Sequence, residues 1–367
     1  MSNLITLPGL IDCHVHFREP GFEHKATMKS EAASARAGGV LTACEMPNTS
    51  PPCVTVNALR QKIAIADTIT DCDIHFFFGI TEASHMEEFQ TAWNDEGLRR
   101  RLCGVKLYLD HSTGNQKVDG GIVEDIFKRC SELGAPLVAH CEDAEINAEA
   151  AKMFAKQTDV SLHSLMRPSA SEATAIEYAI NLAKKHGTPF HIAHLSTAQG
   201  IDLVRTAKAE GVTVTCEVAP HHLFLSIHDY DRLGPLGKMN PPLRPLDDVE
   251  ALWKGIEDGT VDCIATDHAP HTLEEKTSPK NPLDAPSGVP GVETMLPLLL
   301  TKLSPDQIKM LCYENPNRIF SLNAPSEPRI TIDLDEEWVI HARDLHSKCD
   351  WTPYEGMTVR GRVVTIT

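Results

Sequence analysis

Ile11-Asp12-Cys13-His14-Val15-His16-Phe17-Arg18-Glu19-Pro20-Gly21 opens as an apolar run behind Pro8-Gly9 and closes on two histidines and an arginine. The run reads as a β-strand. Side chains alternate along a strand, so His14, His16 and Arg18 project from one face. Two imidazoles on one face at a strand's end can grip a metal ion. Taken alone, His-x-His fits a hydrogen-bonded pair of histidines equally well. What stands at the ends of the other apolar runs decides between the two.

Seven such runs follow, at 40–46, 74–80, 104–109, 136–140, 190–195, 212–219 and 263–266. Helical patterns lie between them at 28–37, 56–66, 86–93, 122–133, 171–186, 197–210 and 249–258, with an extra helix at 144–156. Several of these patterns close on glycine, as at Leu133-Gly134 and His186-Gly187. Strand and helix alternating eight times is the pattern of an α/β (β/α)₈ TIM-type barrel. A doubly wound open sheet is the rival, but no Gly-x-Gly-x-x-Gly follows the first strand. After about Ala324 the pattern changes to alternation at 329–334 and 358–366. That predicts a small β appendage formed by the C-terminal segment and the N-terminal strand 4–7. The domain expectation is a barrel at 8–323 and a β subdomain of 1–7 with 324–367. The Pro/Gly-rich stretch 276–291 is too long for a tight turn and reads as a functional loop.

In such a barrel the active site lies at the C-terminal ends of the strands. His14, His16 and Arg18 end the first run, and Asn48 follows the second. Lys106 interrupts the fourth, and His140 and Glu142 end the fifth. His191 and His194 share the sixth, Glu217 ends the seventh, and Asp267, His268 and His271 follow the eighth. Polar residues at one rim of seven runs are hard to attribute to packing. His14, His16, His140, His194 and Asp267 offer nitrogen and oxygen ligands suited to zinc. Five groups exceed the needs of one catalytic zinc and fall short of two without a bridge. Lys106 supplies that bridge if its amine is carboxylated; otherwise it is a buried lysine in an ion pair. His194 is preferred to His191 because it lies nearer the strand's end, and a separation of three puts the two on opposite faces.

The chain has 367 residues, 42% apolar and 23% charged, with a net charge of −17. That charge argues against nucleic acid or an anionic membrane as a partner. An anionic substrate then requires focused local cations. The eleven cysteines contain no Cys-x-x-Cys and fall in strand-like runs, as reduced buried thiols do. No signal peptide is evident, and no apolar run reaches the roughly 18 residues of a membrane span. A soluble cytoplasmic protein is expected.

Asp12-Cys-His-Val-His-Phe-Arg-Glu-Pro-Gly21 and Ala265-Thr-Asp-His-Ala-Pro-His-Thr-Leu-Glu-Glu-Lys276 resemble the two signature segments of dihydroorotases in the amidohydrolase superfamily. Met46-Pro-Asn-Thr49, Gly104-Val-Lys-Leu-Tyr108, Cys216-Glu-Val-Ala-Pro-His-His222 and Pro290-Gly-Val-Glu-Thr-Met-Leu-Pro297 support the likeness. The segment around Lys106 is similar to the dihydroorotase domain of the animal multifunctional pyrimidine enzyme. The resemblance implies reversible interconversion of L-dihydroorotate and N-carbamoyl-L-aspartate, in pyrimidine biosynthesis, with a bridging hydroxide as nucleophile. It implies two Zn²⁺, one on His14, His16 and Asp267 and the other on His140 and His194, bridged by N6-carboxylated Lys106. Asp267 is the implied proton carrier. Arg18, Asn48 and His271 match positions that hold the substrate's α-carboxylate, and a loop after the fourth strand carries Ser112 and Thr113 as alternative contacts. Asn240 is either a pocket residue or a turn residue. Glu217 either touches a metal or orients His221 or His222. The rivals are a hydantoinase or allantoinase and an inactive structural partner of aspartate transcarbamoylase. The oligomeric state, a homodimer among the possibilities, is left open.

Overall fold

The computed structural model describes residues 3–110 and 116–367. Eight parallel strands run in sequence order around a nearly closed barrel: β2 (Leu10–Val15), β3 (Val40–Glu45), β4 (Asp73–Gly79), β5 (Leu102–Tyr108), β6 (Leu137–His140), β7 (Phe190–Ile192), β8 (Val214–Val218) and β9 (Cys263–Ile264). The seam between β9 and β2 is drawn together beyond the strand ends, where His16 N–H donates to the His268 carbonyl at 2.7 Å. A separate antiparallel sheet has the order β1 (Leu4–Pro8), β10 (Arg329–Val339), β11 (Thr358–Ile366).

The helices between the strands start where the sequence supplies caps. Thr27, Thr55 and Thr197 each accept a backbone N–H of the first turn of the helices at Met28–Ala37, Val56–Ala66 and Ala198–Ala209. Helices Val123–Leu133 and Ser169–His186 stop on Gly134 and Gly187, whose φ angles of 59° and 69° lie in the left-handed region.

The core has two layers. One lies between strands and helices and includes Phe76, Phe78, Phe127 and Phe190; burying each such side chain contributes about 1.5–3 kcal/mol. The other fills the barrel with residues from alternate strand positions, among them Ile11, Cys44, Phe77, Cys103, Val138 and Cys263. Phe320, from the segment after the last helix, meets Phe77 edge-on at 5.5 Å and belongs to this inner layer. All eleven cysteines are free and buried. Gly104 has φ 140°, and a Cβ there would sit 2.2 Å from the Pro136 carbonyl oxygen. Strands β5 and β6 therefore approach closely just before Lys106.

All eight apolar runs are strands, and the small sheet uses the three expected segments. The strands at β7 and β9 are shorter than their apolar runs. Each chain turns away early to aim a side chain: His194 has φ 34° and Asp267 φ 47°. This corrects one argument for His194 over His191. Strand parity does not separate them, because β7 ends at Ile192 and His194 stands outside it. Among the described residues, no helix is long and apolar enough to cross a membrane.

Candidate active site

The buried rim residues converge at the C-terminal mouth. His14 Nε2 and His16 Nε2 lie 3.3 and 3.0 Å from Asp267 Oδ1. The three residues offer ligand atoms within 4.8 Å of one another, a set that could hold a metal ion. Across the mouth, His140 Nδ1 and His194 Nε2 are 3.1 Å apart, and the His194 ring centroid is 5.2 Å from that of His14. Burial pushes His16 down to about 4, against the pull of Asp267, and burial with His140 beside it holds His194 well below the usual imidazole range. Both are therefore neutral near pH 7, the form that binds metal. Burial alone would raise Asp267, but His14, His16 and His194 outweigh it and keep it anionic.

Lys106 completes the arrangement. Its Nζ is buried, lies 5.1 Å from the Tyr108 ring centroid, and among the described residues has no hydrogen-bond partner. Burial pushes it down to about 8, although Glu217 and Asp267 pull the other way. A buried amine with no acceptor is poorly housed as an ammonium ion. The donor set and this orphaned amine fit a metal centre better than they fit a bare protein core.

A second layer orients the histidines. Glu217 Oε1 accepts from His14 Nδ1 in a short hydrogen bond, and Oε2 faces His191 Nε2 at 3.1 Å and Cys13 Sγ at 3.4 Å. Asn48 Oδ1 accepts from His16 Nδ1 at 2.7 Å. Each bond commits Nδ1 and leaves Nε2 pointing at Asp267. Glu142 Oε2 lies 2.8 Å from His140 Nε2, and both its oxygens are held by Arg167, at 2.6–3.1 Å. Arg167 also reaches Asp110 at 2.7 Å. Burial would raise Glu142, but Arg167 and His140 outweigh it and hold it well below the ordinary range. Asp12 straps the first strand to the last, accepting from the backbone N–H groups of His14 and Thr266 and from the Thr266 hydroxyl at 2.5–3.2 Å.

Arg18, at φ 70°, folds back into the mouth and is buried. Its Nε donates to the Pro270 carbonyl at 2.9 Å, and its terminal nitrogen is 3.2 Å from His271 Nε2. Asn48, Asn240, Ser287 and Gly288 share the pocket wall with it. Asn240 Oδ1 accepts from His163 Nε2 at 2.9 Å, so it is both wall and anchor. The 276–291 loop supplies Ser287 and Gly288 to that wall, and two lysines, one buried and one half-buried, clasp it. Lys276 Nζ donates to the Pro286 and Gly288 carbonyls, and Lys238 Nζ to those of Leu283 and Ala285.

Ser112 and Thr113 lie outside the described residues, as does His111. Glu217 orients His14 and His191, not His221 or His222; His222 Nε2 instead donates to the Pro241 carbonyl at 3.0 Å. His268 is taken up by Glu31 and by the Gly291 N–H. His75 pairs with Asp73, at the opposite end of the barrel from the metal-type cluster. Sequence reasoning gave no role to Glu142, Arg167, Tyr108 or Lys25. Glu142 had a signal, two residues beyond His140 at a strand's end; Arg167 and Lys25 had none. Two roomier hollows lie elsewhere, between helices 169–186 and 198–209 and at the barrel's N-terminal end. Neither gathers the buried histidine and carboxylate groups found here.

A (β/α)₈ barrel carrying buried histidines, an aspartate and an unpartnered lysine at its C-terminal mouth defines an amidohydrolase-type scaffold. Solved structures agree. L-Hydantoinase (dihydropyrimidinase) from Arthrobacter aurescens superposes with a TM-score of 0.93 at 26% identity, over 99% of this chain and 84% of that one. The family model for dihydro-orotase-like proteins matches residues 3–200. Dihydroorotase of Halobacterium salinarum is 41% identical over 366 residues, covering 95% of this chain and 82% of the relative. The multifunctional protein CAD of Squalus acanthias is 38% identical over 98% of this chain, which spans 14% of that protein. The chain belongs to the dihydroorotase family.

Proposed function

We propose that the chain is a dihydroorotase that interconverts L-dihydroorotate and N-carbamoyl-L-aspartate. The observation that carries this reading is Arg18. It is a buried, forked cation beside a cluster of buried histidines, in a chain of net charge −17. A guanidinium fork matches a carboxylate, which hydantoin and allantoin lack and dihydroorotate has. Two Zn²⁺ fit the donor set: His14, His16 and Asp267 would hold one, His140 and His194 the other, and Lys106 as its carbamate would serve both. When bound, zinc supplies Lewis-acid polarisation of the ring carbonyl and activation of water.

The chain's own residues do the rest. Arg18, with Asn48 and His271, binds and orients the carboxylate. Asp267, already ionised, accepts the proton of the attacking water. Water's oxygen joins the ring carbonyl carbon, the ring C–N bond breaks, and Asp267 returns the proton to the departing nitrogen. Ring closure runs the same steps backwards. The small β subdomain of 1–7 with 324–367, the barrel of 8–323 and a cytoplasmic setting belong to the same reading.

The second reading, a cyclic-amide hydrolase of the hydantoinase kind, draws on the 0.93 TM-score. The test is ring opening of dihydroorotate, hydantoin and allantoin by one enzyme preparation. Dihydroorotate is expected to be strongly preferred. Equal or better turnover of hydantoin or allantoin would hand the assignment to the second reading.

A further inference from the structure

His271 is fully buried, and both ring nitrogens are engaged. Nδ1 lies 3.0 Å from Lys25 Nζ. Nε2 lies 3.0 Å from the Ser287 carbonyl oxygen and 3.2 Å from the Arg18 terminal nitrogen. An ammonium ion only donates and a carbonyl only accepts. Nδ1 must therefore carry the lone pair and Nε2 the proton. Ser287 favours that tautomer, whereas Arg18, which can only donate, favours the opposite one at Nε2, so Lys25 decides the balance. A doubly protonated ring would set an N–H against the ammonium group. Burial, then Arg18 and Lys25 on the same side of the balance, holds His271 far below the usual imidazole range despite Glu275. Glu275 Oε2 is 3.8 Å from Nδ1, too far to compete for it, while Glu275 Oε1 holds Lys25 Nζ at 3.2 Å. The Trp351 indole N–H fixes the His271 backbone carbonyl at 2.7 Å.

The proton on Nε2 thus goes to the carbonyl of Ser287, which shares the pocket wall with Arg18. Gly288 permits this approach: a Cβ there would lie 3.2 Å from Nε2 and 2.7 Å from the Ala269 carbonyl oxygen. We infer that Lys25 is a positioning residue that locks His271 as an Nε2–H donor to the Ser287 carbonyl, holding that wall in place beside Arg18, and so sets affinity for the substrate's carboxylate. This rests on the proposed carboxylate role of Arg18 and His271. Lys25 itself does not touch the pocket. It acts through the ring, as the far partner of a metal-bound histidine acts through its own ring.

The test is steady-state kinetics of the full chain on dihydroorotate with Lys25→Met, Lys25→Arg and Arg18→Lys, plus ¹⁵N-histidine spectra of the His271 ring. Circular dichroism and metal content serve as folding controls. Lys25→Met is expected to raise KM about tenfold, the worth of one hydrogen bond to a charged group, with kcat changed less than about threefold. Its His271 spectrum is expected to lose the pure Nε2–H form. Lys25→Arg, which keeps a donor, is expected to restore both. An unchanged KM in folded Lys25→Met, with His271 still the Nε2–H tautomer, would overturn the inference. Should Lys25→Met not fold, an Nδ1–H ring in wild type or in Lys25→Arg overturns it instead. If Arg18→Lys binds dihydroorotate as tightly as wild type, the carboxylate reading itself fails, a result separable from the tautomer measurement.

Discussion

Glu217→Gln is the sharpest perturbation of the proposed metal centre, because it keeps shape and removes charge. The carboxylate sits at the hub of four contacts. It accepts from His14 Nδ1 in a short bond, from the His194 backbone N–H at 3.2 Å, and faces His191 Nε2 and Cys13 Sγ at 3.1 and 3.4 Å. Burial would raise its pKa, but His14 and His191 outweigh that and hold it well below the ordinary range. A glutamine can keep its oxygen toward His14 and turn its NH₂ toward His191. His191 can answer by exchanging its tautomer against the Thr215 hydroxyl, 2.8 Å from its Nδ1. The loss then concentrates on one bond. A charge-assisted hydrogen bond contributes about 1.5–3 kcal/mol and a neutral one about 0.5–1.5, so His14 Nε2 loses about 1–2 kcal/mol of support as a ligand. That corresponds to roughly 5- to 30-fold in zinc affinity. No partner is left charged and buried, so the fold itself loses less than about 1.5 kcal/mol. The assay is zinc competition with a chromophoric chelator, run beside urea unfolding of the metal-free protein. Glu217→Gln with wild-type zinc affinity would refute the claim that this carboxylate works through His14.

Four further outcomes follow from other parts of the structure. Lys106→Ala is expected to lose most activity, since no other described side chain near the site combines a buried amine with the absence of a hydrogen-bond partner; wild-type turnover in that variant would remove the carbamate from the mechanism. In wild type, uptake of ¹³C-bicarbonate at Lys106, read by NMR, is expected to rise as pH passes through about 8, because burial lowers this amine and the neutral form grows above that value; the same shift makes the folded state bind fewer protons than the unfolded between about 8 and the ordinary lysine range, so this group's contribution to stability rises with pH there. Arg167→Met should cost about 3–5 kcal/mol in chemical denaturation, because it strands the buried Glu142 carboxylate and Asp110 without their cation; a loss below about 1 kcal/mol would show that the pair is solvated and of little worth. Gly104→Ala must push a Cβ into the Pro136 carbonyl and impose a left-handed residue on β5, so it is expected to destabilise by more than about 1–3 kcal/mol and to lower activity by displacing Lys106.

Much of the rim was legible because each of its residues breaks a local pattern. A histidine, lysine or aspartate that interrupts an apolar run is visible within a window of a few positions, and the barrel topology then sends all such interruptions to one end. Legibility stopped where the informative relation was neither local nor periodic. Glu217 lies 203 residues from His14 and Arg167 lies 25 from Glu142, so nothing in either neighbourhood announces the pairing. Local geometry also misled in one place. The period-two argument for His191 and His194 assumed a strand that in fact ends at Ile192. The chain leaves the extended conformation at Arg18, His194 and Asp267, all at positive φ.

These three departures share a physical cause. A strand can aim a side chain only perpendicular to the sheet, whereas a shared centre above the barrel requires side chains that lean inward from several strands at once. Bending the backbone into the left-handed region achieves that at roughly 1–3 kcal/mol per non-glycine residue, a cost sustained only where the surroundings over-determine the geometry. Around Asp267 they do: Asp12 fixes the preceding Thr266 through its N–H and hydroxyl, and His268 is locked by Glu31 and Gly291. Lys25 belongs to the same logic at a further remove. In sequence it reads as one more loop lysine after Pro20-Gly21. Only the fold, which brings residue 25 against residue 271, turns it into the group that decides which nitrogen of a buried histidine carries the proton.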